Sequence, residues 1–456
     1  MTFAYHFTHI DNLDSILKNG LLATSEKHRK NITHENIANM DIQSTRSQIA
    51  ISTELQLVRK YEVSEYLFDY HEFVPFYFSE RSPMLLSLSM LKNIDQERVI
   101  YFVIDCEKML KEKENCFFTD QSVNRISDLP NLSNYEKDLD RLDWDAIRDR
   151  RYRLDDQTKH HKMAEFLVHK QVFMRDIVKI ITYANDFWVN KVKEIFQENG
   201  IIPPPIIKSR DSYYSNSRPV FKADDRKWMF PCVIGPQTLY EQTMNAIEET
   251  IEARKSSYLF YNFDDIADLL INLELNQDCI PELAEANHLL MRYGYHNSTV
   301  GTHSKRVFDN LKDIKEYSCL SQRDKILVKI SAFLHDIGKG PCSRWNNSTM
   351  HEADPNHSLK SLPMLQRILT EEVNFLTDDD IYKIFICVTY DDLVGEIIGK
   401  DRNKKQLFNL VKSKEILDLL FTIGKADLKD VNASWLSNES IFDTLYLEAL
   451  DEMNNA

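Results

Sequence analysis

Three short, almost unbroken apolar runs stand out in the first 200 residues: RVIYFVID (98–105), AEFLVHKQV (164–172) and DIVKIITYA (176–184). Runs of this length between polar segments predict strands that enter a core. NLDSILKNG (12–20) instead repeats its apolar residues at helical spacing and stops on Gly20, which predicts a helix closed by glycine. Past residue 222 the helical period takes over, in EQTMNAIEETIEARK (241–255), FDDIADLLINLEL (263–275), DKILVKISAFLHDI (324–337) and KEILDLLFTIGKADL (414–428). The two regimes are separated by NGIIPPPIIKSRDSYYSNSRPVF (199–221), whose three consecutive prolines cannot continue a helix or a central strand. The pattern predicts an α+β domain over 1–198, a Pro-rich joint and connecting segment over 199–240, and an all-α domain over 241–456.

Composition changes this picture little. A chain of 456 residues is too long for one compact core. No apolar run approaches the roughly 20 residues that span a bilayer, so no membrane partner is expected. The N-terminus lacks a basic-then-apolar signal, and seven scattered Cys without a CxxC pair predict reduced thiols in a cytosol. A net charge of −15 excludes broad coating of DNA but not a local basic groove. From Arg148 to Lys179 the balance reverses, with nine Lys or Arg against five acids.

Inside that basic run one acid is out of place. Glu165 opens the apolar stretch Phe166-Leu167-Val168, and a carboxylate is rarely buried unless its charge is needed. His160, His161, Lys162, His169 and Lys170 flank it in sequence and are expected to keep it ionised. Further islands precede it: YHFTHIDNL (5–13), STRSQIA (44–50), VPFYFSERSPML (74–85), FFTDQS (117–122) and LDW (142–144). Each alone has an ordinary structural reading, as a turn cap, a core strand or a surface charge.

In this order the islands resemble the DarT family of DNA ADP-ribosyltransferase toxins, from about Tyr5 to about Tyr183. The resemblance implies transfer of ADP-ribose from NAD+ to a base of single-stranded DNA, in a toxin–antitoxin or phage-defence setting with a cognate antitoxin protein. It implies Glu165 as catalytic acid, Arg46 as second catalytic residue, His6, Thr8 and Asn12 as part of the NAD+ cradle, and Tyr77 and Arg81 near the nicotinamide or phosphates. The chemistry agrees: cleavage of the nicotinamide–ribose bond develops an oxocarbenium-like cation, which a fixed carboxylate stabilises. FTDQSV and the residues before Glu165 depart from the family pattern, so the base and sequence context stay open.

The helical half carries FLHDIGKG (333–340), which sets His335 and Asp336 side by side before Gly338, with His303 earlier in THSKRV and Asp427 later in IGKADLKD. This order resembles the HD-domain superfamily of metal-dependent phosphohydrolases. The resemblance implies His303, His335, Asp336 and Asp427 around one divalent ion, which imidazole and carboxylate donors would suit as Mn, Fe, Co, Ni, Zn or Mg. Lys339, His351 and His357 are expected as phosphate contacts or extra ligands. VTYDDLVGEI (388–397) holds Tyr390, Asp391 and Asp392 where two-metal relatives carry a further His pair, which favours one ion. The expected fold is an α+β ADP-ribosyltransferase-like domain followed by an all-α HD-type domain, cytosolic, with a nucleotide as a further ligand of the HD domain. Two other readings stay open: an RNA-directed transferase, and a nucleotide-sensing HD protein whose N-terminal domain binds NAD+ without transfer.

Overall fold

The computed structural model describes residues 1–34, 50–53, 66–113, 115–124, 128, 130–214, 233–256 and 260–455. The chain divides into two compact units, Met1–Cys232 and Val233–Ala456.

The first unit is built on one eight-stranded sheet: β1 (Phe3–His9), β2 (Phe73–Tyr77), β3 (Val99–Asp105), β4 (Cys116–Thr119), β5 (Leu132–Ser133), β6 (Glu165–His169), β7 (Lys179–Thr182) and β8 (Ile206–Lys208). Their spatial order is β8-β7-β3-β1-β2-β6-β4-β5, with every pairing antiparallel except β7 with β8. The ladder is unequal. β1 pairs with β3 over seven residues, but it meets β2 at a single pair, Tyr5 with Tyr77. The sheet is therefore two four-stranded halves that part between β1 and β2. At the parting the His6 Nδ1–H donates to the Pro75 carbonyl, 2.7 Å away, in place of a backbone ladder bond. Val74, Phe76, Ile100, Phe102, Ile104, Phe166, Val168 and Ile180 fill the core face. α1 (Leu13–Asn19), α2 (Trp144–Arg148), α3 (Asp156–Lys162) and α4 (Asp186–Glu198) are among its helices. Gly20 ends α1 at φ +81°, where a side chain would be strained.

The segment read as a joint behaves differently. Residues 206–208 add an edge strand, and Tyr213 and Tyr214 are fully buried beneath the sheet edge. An edge strand makes only one ladder, so prolines directly before it cost no pairing. The Tyr213 hydroxyl donates to Val99 O at 2.8 Å and the Tyr214 hydroxyl to Arg81 O at 2.8 Å, while the Tyr214 amide donates to Gln96 Oε1 at 2.7 Å. The N-terminal unit thus extends past 198 and takes in much of the proline-rich segment.

The second unit is helical, apart from a three-stranded sheet of two-residue strands at 290–291, 298–299 and 349–350. Its main helices are α5 (Pro236–Ser256), α6 (Ile266–Leu275), α7 (Val300–Asn310), α8 (Gln322–Leu334), α9 (His357–Glu371), α10 (Asp378–Thr389), α11 (Leu393–Lys400), α12 (Lys414–Asn432) and α13 (Glu439–Asn455). Thr299, Ser321 and Ser413 cap α7, α8 and α12 as their hydroxyls accept first-turn amides. Phe333, Phe385 and Phe421 are fully buried where these helices pack. No helix among the described residues is long and apolar enough to cross a membrane, and the six cysteines among them are unbonded.

Tyr214→Ala is expected to lower the stability of the N-terminal unit by about 3 to 5 kcal/mol, the usual cost of emptying a buried aromatic site. A urea melt followed through that unit checks it; an unchanged midpoint would mean that the segment is only a tether.

Candidate functional site

In the first unit the site grows from the parting of the sheet. β2 and β6 pair with Tyr77 opposite Glu165, so the two side chains share a face. Tyr5, opposite Tyr77, extends the row across the parting. The FTD island explains itself here. Thr119 ends β4, and its hydroxyl accepts from the Glu165 amide at 2.9 Å while donating to Gln121 O at 2.8 Å. Glu165 is 0% exposed, so its backbone is pinned and its carboxylate held inside the fold.

Its basic sequence neighbours do not surround it. Lys162 is 2% exposed and directs its ammonium to Ser79 Oγ, Ile147 O and Asp149 O at 2.7 to 2.8 Å. Burial pushes Lys162 down to about 8. His169 faces Glu72 at 3.3 Å. Strand geometry is the reason: Lys162 lies at the end of α3 and His169 at the far end of β6, so closeness in sequence is not closeness to the carboxylate.

On the β1 side of the parting the structure brings together His6, Thr8 and Asn12. The Asn12 amide donates to Thr8 Oγ1 at 3.2 Å, and the three line a small notch of about 50 Å³ with Asn19, Lys27 and His34. Tyr77 stacks against Phe7, ring centroids 6.2 Å apart. Arg81 stands apart from that notch, over the Tyr214 ring at 4.7 Å. Arg46 lies outside the described residues.

In the second unit, α7 supplies His303, the end of α8 supplies His335 and Asp336, α9 begins with His357, and α12 carries Asp427. Gly338 makes the convergence possible: a Cβ there would lie 2.0 Å from His357 O. The turn of the HDIGK motif thus packs directly on the start of α9. His303 Nε2 stands 2.9 Å from Asp427 Oδ1, 3.2 Å from His335 Nε2 and 3.6 Å from Asp336 Oδ2.

Three imidazoles are oriented alike. His335 Nδ1 faces Ala332 O at 2.9 Å, His357 Nδ1 faces Asp354 O at 3.0 Å, and His303 Nδ1 faces Asp430 Oδ2 at 2.7 Å. Carbonyls and carboxylates only accept, so each Nδ1 carries the proton and each Nε2 turns toward the cluster. Arg306, one turn from His303, holds Asp430 in place. Burial pulls the His303 imidazole down, but its hydrogen bonds with Asp427 and Asp430 outweigh this and lift it to about 9.

Sequence reasoning passed over Asp391 and Asp392 as ligands, yet both enter the cluster. Donor atoms of His303, His335 and Asp427 lie within 4.8 Å of one another, as do those of His335, Asp336 and Asp391, and those of His357, Asp391 and Asp392. His357 Nε2 and Asp391 Oδ1 are buried without a hydrogen-bond partner. Burial and the neighbouring carboxylates of Asp392, Asp336 and Asp427 push Asp391 well up. Such crowding of buried acceptors fits a divalent cation. Lys339 is buried and ion-paired with Asp336 at 2.6 Å, which occupies its charge within the cluster. His351 is exposed and joins none of these donor sets, because the short strand at 349–350 ends directly before it. The signal that could have revealed Asp430 is the i, i+3 spacing of His303 with Arg306 and of Asp427 with Asp430, one helical face each.

Comparison with known proteins matches each unit separately. The family model for the ssDNA thymidine ADP-ribosyltransferase DarT covers residues 5–214, and that for the HD domain covers residues 300–407. The first match ends on Tyr214, the residue that closes the sheet edge. A DNA ADP-ribosyl transferase of Thermus aquaticus is 28% identical over 223 residues, 48% of this chain and 90% of the relative. A DNA ADP-ribosyl transferase–DNA ADP-ribosyl glycohydrolase fusion protein of Thermosipho africanus is 27% identical over 206 residues, 44% of this chain and 48% of that protein. Among solved structures, Thermus sp. 2.9 DarT in complex with ADP-ribosylated ssDNA aligns at a TM-score of 0.40 and 28% identity, over 47% of this chain and 96% of that one. The chain carries a DarT domain in its N-terminal half and an HD domain in its C-terminal half.

Proposed function

We propose that the DarT domain transfers ADP-ribose from NAD+ to a base of single-stranded DNA, with Glu165 as its catalytic acid. The observation that carries this is a carboxylate buried opposite Tyr77, one strand from the parting of the two half-sheets, its amide pinned by Thr119. The dinucleotide lies across the parting, its adenosine side toward His6, Thr8 and Asn12 and its nicotinamide ribose toward Tyr77 and Glu165. The bond between nicotinamide nitrogen and ribose C1′ breaks, and its electron pair leaves with nicotinamide. The Glu165 carboxylate stabilises the positive charge left on the ribose. A ring nitrogen of the base then bonds to C1′, and its proton passes to Glu165. The matched family description and the Thermus relatives support DNA, with thymidine as the acceptor nucleoside. Arg46 completes the site as the second catalytic residue.

Glu165→Ala is expected to bind NAD+ as the unaltered protein does, and to transfer no label from labelled NAD+ to a single-stranded oligonucleotide. The loss should reach at least about 10²-fold, the scale of one removed charge-stabilising group. Transfer at an undiminished rate would remove Glu165 from the mechanism.

We infer that the HD domain is a metal-dependent phosphohydrolase. His303, His335, Asp336 and Asp427 hold one divalent ion, with His357, Asp391 and Asp392 beside it. When bound, the ion supplies a hydroxide near neutral pH and a point of attachment for a phosphate oxygen. The protein's own part is orientation. Asp430 fixes the His303 ring, and Lys339 balances the charge of Asp336. Asp430→Asn should weaken affinity for added Mn²⁺ by about 10- to 100-fold, the usual effect of a lost outer partner, with thermal stability unchanged. Calorimetric titration of the metal-stripped protein measures this. Equal affinity in the variant would show that Asp430 serves the fold alone, and a protein without stoichiometric metal would favour a nucleotide-binding regulatory module.

A further inference from the structure

The DarT domain has a second, much larger cavity that its proposed NAD+ cradle does not use. It holds about 680 Å³ and is lined by Tyr5, Ser79, Arg81, Trp144, Arg148 and Lys162, among others. Its place in the ladder is informative. Tyr77 pairs with Glu165, and the next residue, Phe78, donates its amide to Ala164 O at 3.4 Å. Phe78 and Ser79 line the cavity, so it opens one residue beyond the catalytic pair.

The walls carry cations whose charge is unmatched. Arg81 Nε is buried without a hydrogen-bond partner, and no carboxylate among the described residues lies within ion-pair distance of its guanidinium, which rests on the Tyr214 ring. Burial, the largest influence, pulls its pKa down. Arg148 is exposed over the Trp144 ring at 5.1 Å and likewise has no acidic partner among the described residues, and Arg150 donates only to a backbone carbonyl, Asp211 O at 3.0 Å. Two of the acids that share the lining are ion-paired, Asp149 with Arg151 and Glu107 with the N-terminal amine at 3.0 Å, while Glu80 accepts from the Ser212 hydroxyl at 2.6 Å and keeps its charge. Asp140 remains at the exposed rim.

A guanidinium fork held half-buried without an anion matches the two non-bridging oxygens of a phosphate. Cations interleaved with an aromatic face are the usual platform for a single strand. We propose that this cavity seats a phosphodiester of the acceptor DNA on Arg81 and Arg148, with the base beside the modified one stacked on Trp144. The inference rests on the transfer reading above and adds where the strand lies. The geometry favours DNA over the NAD+ pyrophosphate, because His6 and Thr8 line the notch from one face of β1 while Phe3 and Tyr5 line the cavity from the other. A base reaching C1′ from the cavity side approaches opposite the dinucleotide.

The test measures two affinities on the full chain: fluorescence anisotropy with a labelled single-stranded DNA across a salt series, and calorimetry with NAD+. The double variant Arg81→Gln, Arg148→Gln should raise the Kd for DNA at least about tenfold. It should also reduce the slope of log K against log salt by about 0.7 per lost phosphate contact, and leave the Kd for NAD+ unchanged. Arg148→Gln alone, at an exposed side chain, should show half of that slope change even if Arg81→Gln fails to fold. Loss of NAD+ affinity with DNA binding intact would hand the cavity to the dinucleotide and overturn the proposal, as would no change in either. Tighter binding of RNA of the same sequence to the unaltered protein would overturn DNA as the occupant. Failure of the transfer reading is separately visible, as DNA bound by the unaltered protein but never labelled.

Discussion

The DarT domain depends on an interruption. Its eight-stranded sheet would be an ordinary core if β1 and β2 paired along their length, but their backbones pair at Tyr5 and Tyr77 alone. Between the two half-sheets, side chains take over what the backbone no longer does. His6 bonds the Pro75 carbonyl, and Tyr77 stands opposite a carboxylate that would be costly in a closed sheet. Glu165, one strand from that parting, is desolvated yet fixed by the strands on either side of it.

The HD domain solves the related problem of crowding acceptors. Three imidazoles are locked by partners that can only accept, so their other nitrogens converge, and two adjacent aspartates from the end of α10 join them. His357 Nε2 and Asp391 Oδ1 are left without a hydrogen-bond partner there. Glycine at 338 is what lets the motif turn and the start of α9 come together closely enough. Both halves of the chain thus bury negative charge in positions set by backbone geometry.

Much of this was legible in sequence because it is local. The apolar run at 98–105, the glycine-closed helix at 13–19 and the change of period near residue 222 each report a single element. The His335–Asp336 pair announces itself by adjacency, and Glu165 by a charge at the head of an apolar strand. What stayed hidden depends on packing between distant segments. Three prolines signal a break, yet an edge strand tolerates them, and nothing nearby reveals that Tyr213 and Tyr214 seal the sheet. Asp391 and Asp392 look like a surface pair until α10, α8 and α9 are brought together. Lys162, three residues from Glu165, points elsewhere because a helix end and a strand start set different directions.

The most direct test of the account is a crystal structure of the Glu165→Gln protein with NAD+ bound. The account predicts the nicotinamide ribose beside residue 165, with C1′ about 3.5 Å from its side chain, as a reactive geometry requires, and the adenosine half reaching His6, Thr8 and Asn12. A dinucleotide that binds away from the parting, leaving residue 165 enclosed among protein atoms alone, would contradict it.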